Sequence, residues 1–161
     1  MAKIIVGIAL VAFCGFCGYV LTAKYRKRKE YYRQFFAFNR SFLGEVSSSR
    51  RPIAVWLSQS AYTGDFETTA RGFLSALQSG DTTLSSMEFP EFLTADERTF
   101  AVDYFSSLGR SDAEEQKKRL QTAEKNLSEK KDAAEKECAK YCDLYVKMGV
   151  LSGLLLLILL I

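Results

Sequence analysis

An all-α, membrane-anchored helical bundle is the fold class predicted here, and three features of the sequence predict it. Strand-like alternation is almost absent. Apolar residues recur three and four apart from Tyr31 to Met148. Charge is swept out of both ends: residues 1–23 carry only Lys3, and residues 148–161 carry none. The other 21 basic and all 19 acidic residues lie between Lys24 and Lys147 and nearly cancel. The net charge of +3 gives no basis for nucleic-acid binding.

The first element is IIVGIALVAFCGFCGYVLT, Ile4–Thr22, with 19 uncharged residues. Its length and composition suit a transmembrane helix. A cleavable signal peptide fits less well, because Leu21 and Ala23 poorly match the pair of small residues a cleavage site wants. Lys24, Arg26, Lys27, Arg28 and Lys29 follow at once. Basic residues beside a span are retained on the cytoplasmic side. The predicted organisation is therefore a transmembrane helix over residues 1–23, a cytoplasmic helical domain over 24–147, and a C-terminal transmembrane segment over 148–161. Both ends then lie across the membrane from the domain, and lipid is a partner of each span.

Within the domain, Tyr31, Phe35, Phe38, Phe42 and Val46, flanked by Tyr32, Phe36 and Leu43, form a wide apolar stripe on one helix. SSSRRP breaks it, and Pro52 opens a short helix to about Ser60 carrying Ile53, Trp56 and Leu57. After a turn at 62–64, Phe66, Ala70, Phe73, Leu74 and Leu77 share a face, with Gly80 as the stop. Residues 81–92 read as a short helix or loop. Thr94 and Glu97 have capping-box spacing, followed by Phe100, Ala101, Tyr104, Phe105 and Leu108. Gly109 then suits a left-handed turn, and Ser111 or Asp112 suits a cap.

From there to residue 161 proline is absent, and the only glycines lie in the last apolar segment. One helix of about 50 residues is implied, roughly 75 Å if straight. Its seam runs Ala113, Gln116, Leu120, Ala123, Leu127, Ala134, Cys138, Tyr141, Tyr145 and Met148. Glu114–Lys118, Glu115–Arg119 and Asp132–Lys136 have the spacing of helix-surface ion pairs. Residues 148–161 alone cover about 21 Å, short of a bilayer core. Extending back to Leu144 gives about 27 Å, with Lys147 snorkelling toward headgroups. Gly149 and Gly153 form a GxxxG, and Cys14, Gly18 and Thr22 place small residues four apart, so both spans carry a face for close helix packing.

Histidine is absent, which removes the commonest general base and metal ligand. Cys14/Cys17 and Cys138/Cys142 sit in or beside apolar helices, where small hydrophobes are expected rather than redox or metal chemistry. No catalytic residue, cofactor or metal is assigned. A membrane thiol oxidoreductase needs those cysteines to be reactive. A self-associating, membrane-anchored coiled-coil scaffold is the other alternative, and a homo-oligomer is compatible with both spans.

Taken together, the N-terminal anchor, the helical domain, the turn Leu108, Gly109, Asp112, Gln116, the long charged helix and the terminal Tyr145, Gly149, Gly153, Leu154, Leu155 resemble the stage III sporulation protein AB family of endospore-forming bacteria. The resemblance implies a cytoplasmic domain related to the F-type platform protein of type II secretion and type IV pilus systems. It also implies a non-enzymatic platform role in the mother cell–forespore channel complex. The partners implied are a secretion-type ATPase, stage III sporulation protein AA, and ring-forming membrane proteins. The location implied is the mother-cell membrane around the forespore, with the domain in the mother-cell cytoplasm. The turn at Leu108–Gln116 is then either a structural corner or a docking point for the ATPase.

Overall fold

The computed structural model describes residues 2–48, 52–81, 83–84, 87–110 and 112–160, and among these it contains six helices and no strand. They are α1 (Ala2–Leu21), α2 (Ala23–Ser48), α3 (Ile53–Gln59), α4 (Asp65–Ser79), α5 (Ala95–Ser107) and α6 (Ala113–Leu160). The expected break at SSSRRP and the alternative cap Ser111 fall partly or wholly outside the described residues. The chain divides into two compact units: residues 1–29 with 133–161, and residues 30–132. Both α2 and α6 supply residues to each unit.

The unit of residues 30–132 is held by aromatic rings. Phe35 and Phe38 of α2 are fully buried. Phe35 stacks on Phe105 of α5 at 5.5 Å and on Phe66 of α4 at 5.4 Å. Phe38 meets Trp56 of α3 edge-on at 5.4 Å, and Phe73 lies 4.9 Å from Phe105. Each such side chain contributes about 1.5–3 kcal/mol on burial, with some further gain from ring geometry. On α4 the buried face is Phe66, Thr69, Ala70, Phe73 and Ala76, while the expected Leu74 and Leu77 are half-buried at its margin.

Local signals explain the ends of these helices. Pro52 stands at the N-cap of α3. Gly80 ends α4 with φ +70°, and Gly109 follows α5 with φ +75°, values that suit a residue without a Cβ. Thr94 and Glu97 close a capping box on α5 in both directions. The described part of 81–92 is loop. Leu84 and Met87 are buried there, and the Thr69 hydroxyl donates to the Glu88 carbonyl at 3.0 Å.

Burial has a consequence at high pH. Desolvation pushes the Tyr31 phenol up to about 12 and the Tyr104 phenol well above its ordinary value. The unfolded chain releases these protons from about pH 10, whereas the folded chain keeps them. Stability is therefore complete below pH 10 and falls as pH rises toward 12, by about 2–3 kcal/mol for Tyr31 alone. Alkaline titration of denaturation midpoints should show this slope, and Tyr31→Phe should make it shallower.

Candidate functional site

Two places carry the residues singled out by the sequence, one in each unit. In the first unit, α1 and the final part of α6 lie antiparallel, as the order of their contacts shows. A Cβ at Gly18 would lie 2.5 Å from the Tyr145 carbonyl oxygen, and one at Gly149 would lie 2.6 Å from the Cys14 carbonyl oxygen. A Cβ at Gly153 would lie 2.8 Å from the Val11 Cα, and one at Gly7 would clash with Leu157. The GxxxG of α6 thus meets α1 closely at Val11, Cys14 and Gly15, while Gly18 meets Tyr145 and Val146 and Thr22 takes no part in these glycine contacts. Thr22 is fully buried between α1 and α2, and its hydroxyl donates to the Tyr19 carbonyl at 2.6 Å.

Past this contact the first turns of α2 meet α6 through polar and aromatic groups. Tyr25 stacks on Tyr141 with centroids 4.8 Å apart. Arg28 forms an ion pair with Glu137. The Arg26 guanidinium sits 3.7 Å over the Tyr19 ring and donates to Thr22 Oγ1, while Lys24 lies 5.0 Å from the Tyr25 ring. Lys27 and Lys29 are exposed. Outward from the pair, Phe13, Phe16, Leu151, Leu155 and Ile158 are all at least 60% exposed. α6 is long and apolar enough to cross a membrane.

The surroundings of Cys138 disfavour its thiolate. Cys138 and Cys142 hold their sulfurs 3.2 Å apart as free thiols. Burial pushes the Cys138 thiol up, and its neighbour Cys142 adds to the rise, with Lys29 and Arg26 opposing. A protonated thiol is a poor nucleophile. Among the described residues no three His, Cys, Asp or Glu side chains converge as a metal site.

In the second unit the turn between α5 and α6 is tied together internally. Leu108 is buried at the end of α5. Asp112 Oδ1 accepts the Glu115 N–H at 2.9 Å, a cap for α6. The Gly109 N–H donates to Gln116 Oε1 at 3.0 Å, stitching the first turn of α6 to the corner. Gln116 is buried, yet its Nε2 has no partner among the described residues.

Glu115 pairs with Arg119 at 2.7 Å. Glu114–Lys118 and Asp132–Lys136 form no ion pair; Asp132 instead lies 3.4 Å from Lys131, and Asp143 pairs with Lys147 at 2.7 Å. Exposed i,i+4 pairs are worth only tenths of a kcal/mol, so solvent competes with each of them.

Sequence reading passed over Asn39. It is fully buried, accepts the Tyr104 hydroxyl at 2.9 Å and donates to the Leu120 carbonyl at 3.2 Å, joining α2, α5 and α6. Its position four residues after Phe35 and next to Phe38 was the available signal, since it puts an amide on the apolar face. Asn39→Leu should leave the Tyr104 hydroxyl unpaired and cost about 1–3 kcal/mol. Adding Tyr104→Phe should return part of that loss in denaturant unfolding of the full chain. Equal stability of the single and double variants would show that the relay contributes nothing.

A family model of stage III sporulation protein AB matches residues 3–161, essentially the whole chain. No curated protein and no solved structure matched it. The family is a sporulation family, and it gives the chain a role in that process. The polypeptide is thus an all-helical member of the stage III sporulation protein AB family.

Proposed function

We propose that the chain is a non-enzymatic membrane platform of the mother cell–forespore channel complex, coupling a secretion-type ATPase to membrane ring proteins. One observation carries this reading. The packed pair of α1 and α6 turns bulky apolar side chains outward on both helices, Phe13 and Phe16 on one and Leu151, Leu155 and Ile158 on the other. Groups of that kind are stable against lipid and costly against water.

In the proposed arrangement α1 and the end of α6, residues 148–161 with an extension back to about 144, both cross the bilayer. The basic run Lys24–Lys29 keeps the intervening domain in the mother-cell cytoplasm. The domain then shares its ancestry with the F-type platform of type II secretion. α6 is one unbroken helix of 48 residues that contributes to both units. Such a helix is a stiff link through which an ATPase acting on the domain moves the membrane segments.

Two measurements test the proposal. Thr122 is exposed on α6, so Thr122→Cys should react with a membrane-impermeant maleimide only after the mother cell is permeabilised. Purified stage III sporulation protein AA should co-purify with the full-length chain in detergent. Labelling of intact cells would overturn the topology. Failure of the ATPase to bind would favour the self-associating scaffold.

A further inference from the structure

A cleft of about 370 Å³ runs between α5 and α6, lined by Phe100, Tyr104 and Ser107 on one side and Gln116, Leu120 and Ala123 on the other. Its inner wall contains the one feature left unexplained above. Gln116 Oε1 is committed to the Gly109 N–H, which fixes the amide and leaves Nε2 as a buried donor without an acceptor. Buried donors are paired in the great majority of cases, so an unmet one on the wall of a cleft marks a place for an acceptor.

The charges around the opening select its kind. Lys118 and Arg119 both line the cleft, against the single carboxylate of Asp103. Arg119 is held by Glu115, whereas the Lys118 ammonium has no salt bridge. The positive charge at the opening favours a negatively charged acceptor for the Gln116 donor, and charge-assisted bonds are the stronger kind.

The shape indicates what presents it. Lys118, Thr122 and Asn126 on the α6 side are exposed, so an occupant stays partly in solvent, unlike a small ligand enclosed by its pocket. No strand edge is available among the described residues for an extended peptide to join. Two neighbouring helices with apolar walls instead suit a third amphipathic helix. We propose that this cleft docks a helical segment of a partner protein that inserts an Asp or Glu side chain past Lys118 at the opening to accept from Gln116 Nε2. The proposal does not depend on the platform reading, and it identifies the partner only by that chemistry.

The test is selection from a displayed library of helical peptides, randomised at the solvent-facing and apolar positions, against the full-length chain in phospholipid nanodiscs. Enriched peptides should share one acidic position flanked by apolar residues three or four away. Exchanging that acid for its amide should weaken binding roughly tenfold, and Lys118→Glu should do the same. Thr122→Trp, at an exposed position that leaves the core untouched, should block the cleft and abolish binding. Gln116→Leu should also weaken it, but that variant loses the stitch to Gly109, so the exposed substitutions decide. Enrichment without a shared acid, no enrichment at all, or affinity unchanged by both Lys118→Glu and Thr122→Trp would overturn the proposal.

Discussion

Replacing Ser128, Glu129 and Lys130 with Gly-Gly-Pro should abolish sporulation while leaving membrane insertion intact. These residues lie in the middle of α6, away from both its cap and its apolar end. Two interior glycines cost about 1 kcal/mol each and an interior proline about 3 kcal/mol, so the substitution opposes a continuous helix by about 5 kcal/mol. Lys130 reaches the edge of the aromatic core, its ammonium 5.1 Å from the Phe100 ring, but the stacked rings of Phe35, Phe66 and Phe105 and the glycine contacts near residue 149 involve none of the three residues. Circular dichroism should therefore show most helix retained, with loss confined to the turns around the break. Spore counts should drop by orders of magnitude. Normal spore formation together with normal ATPase association would show that force does not travel along α6.

The second large effect is expected where the helices of the pair touch. Gly18 and Gly149 face the carbonyl oxygens of Tyr145 and Cys14, which are backbone and cannot rotate away. Gly18→Ala or Gly149→Ala forces the two axes apart and should cost about 1–3 kcal/mol, as overpacking does elsewhere. Changing both to leucine should end the pairing and lower the thermal midpoint of the full chain in detergent by many degrees. Two other glycines provide the contrast. A Cβ at Gly15 would make an ordinary contact, 3.7 Å from Val150, so Gly15→Ala should be tolerated. Gly44 has nothing within 4 Å, and alanine there should stabilise α2 by about 0.5–1 kcal/mol. If Gly18→Ala proved as harmless as Gly44→Ala, close approach would not be what holds the pair.

The helices were legible because their signals are local. Apolar residues at three- and four-residue spacing, Thr94 with Glu97, and the glycines at 80 and 109 each act within one or two turns of chain. The long helix was legible for the complementary reason that nothing between Ala113 and Leu160 breaks one.

What escaped notice depends on partners far away in sequence. Asn39 acquires its meaning only when Tyr104 and Leu120 arrive, 65 and 81 residues later. Arg28 and Glu137 are separated by 109 positions, and no period links them. The cleft is a further case, since its unmet donor depends on which Gln116 atom the Gly109 N–H takes. The unformed Glu114–Lys118 and Asp132–Lys136 pairs show the opposite error, where spacing permits a contact that exposed side chains need not make.

The antiparallel match of residues 11–18 with 145–153 also fixes an order of events during synthesis. A ribosome adding about 5–20 residues per second needs on the order of 10 s to pass from one side of that match to the other. Throughout that interval the glycine face of α1 stays unmated. The residues from 30 to 132 emerge in full before its mate does, so the aromatic core has the opportunity to close first. Pairing of the two apolar helices therefore waits until nearly the whole chain has been made.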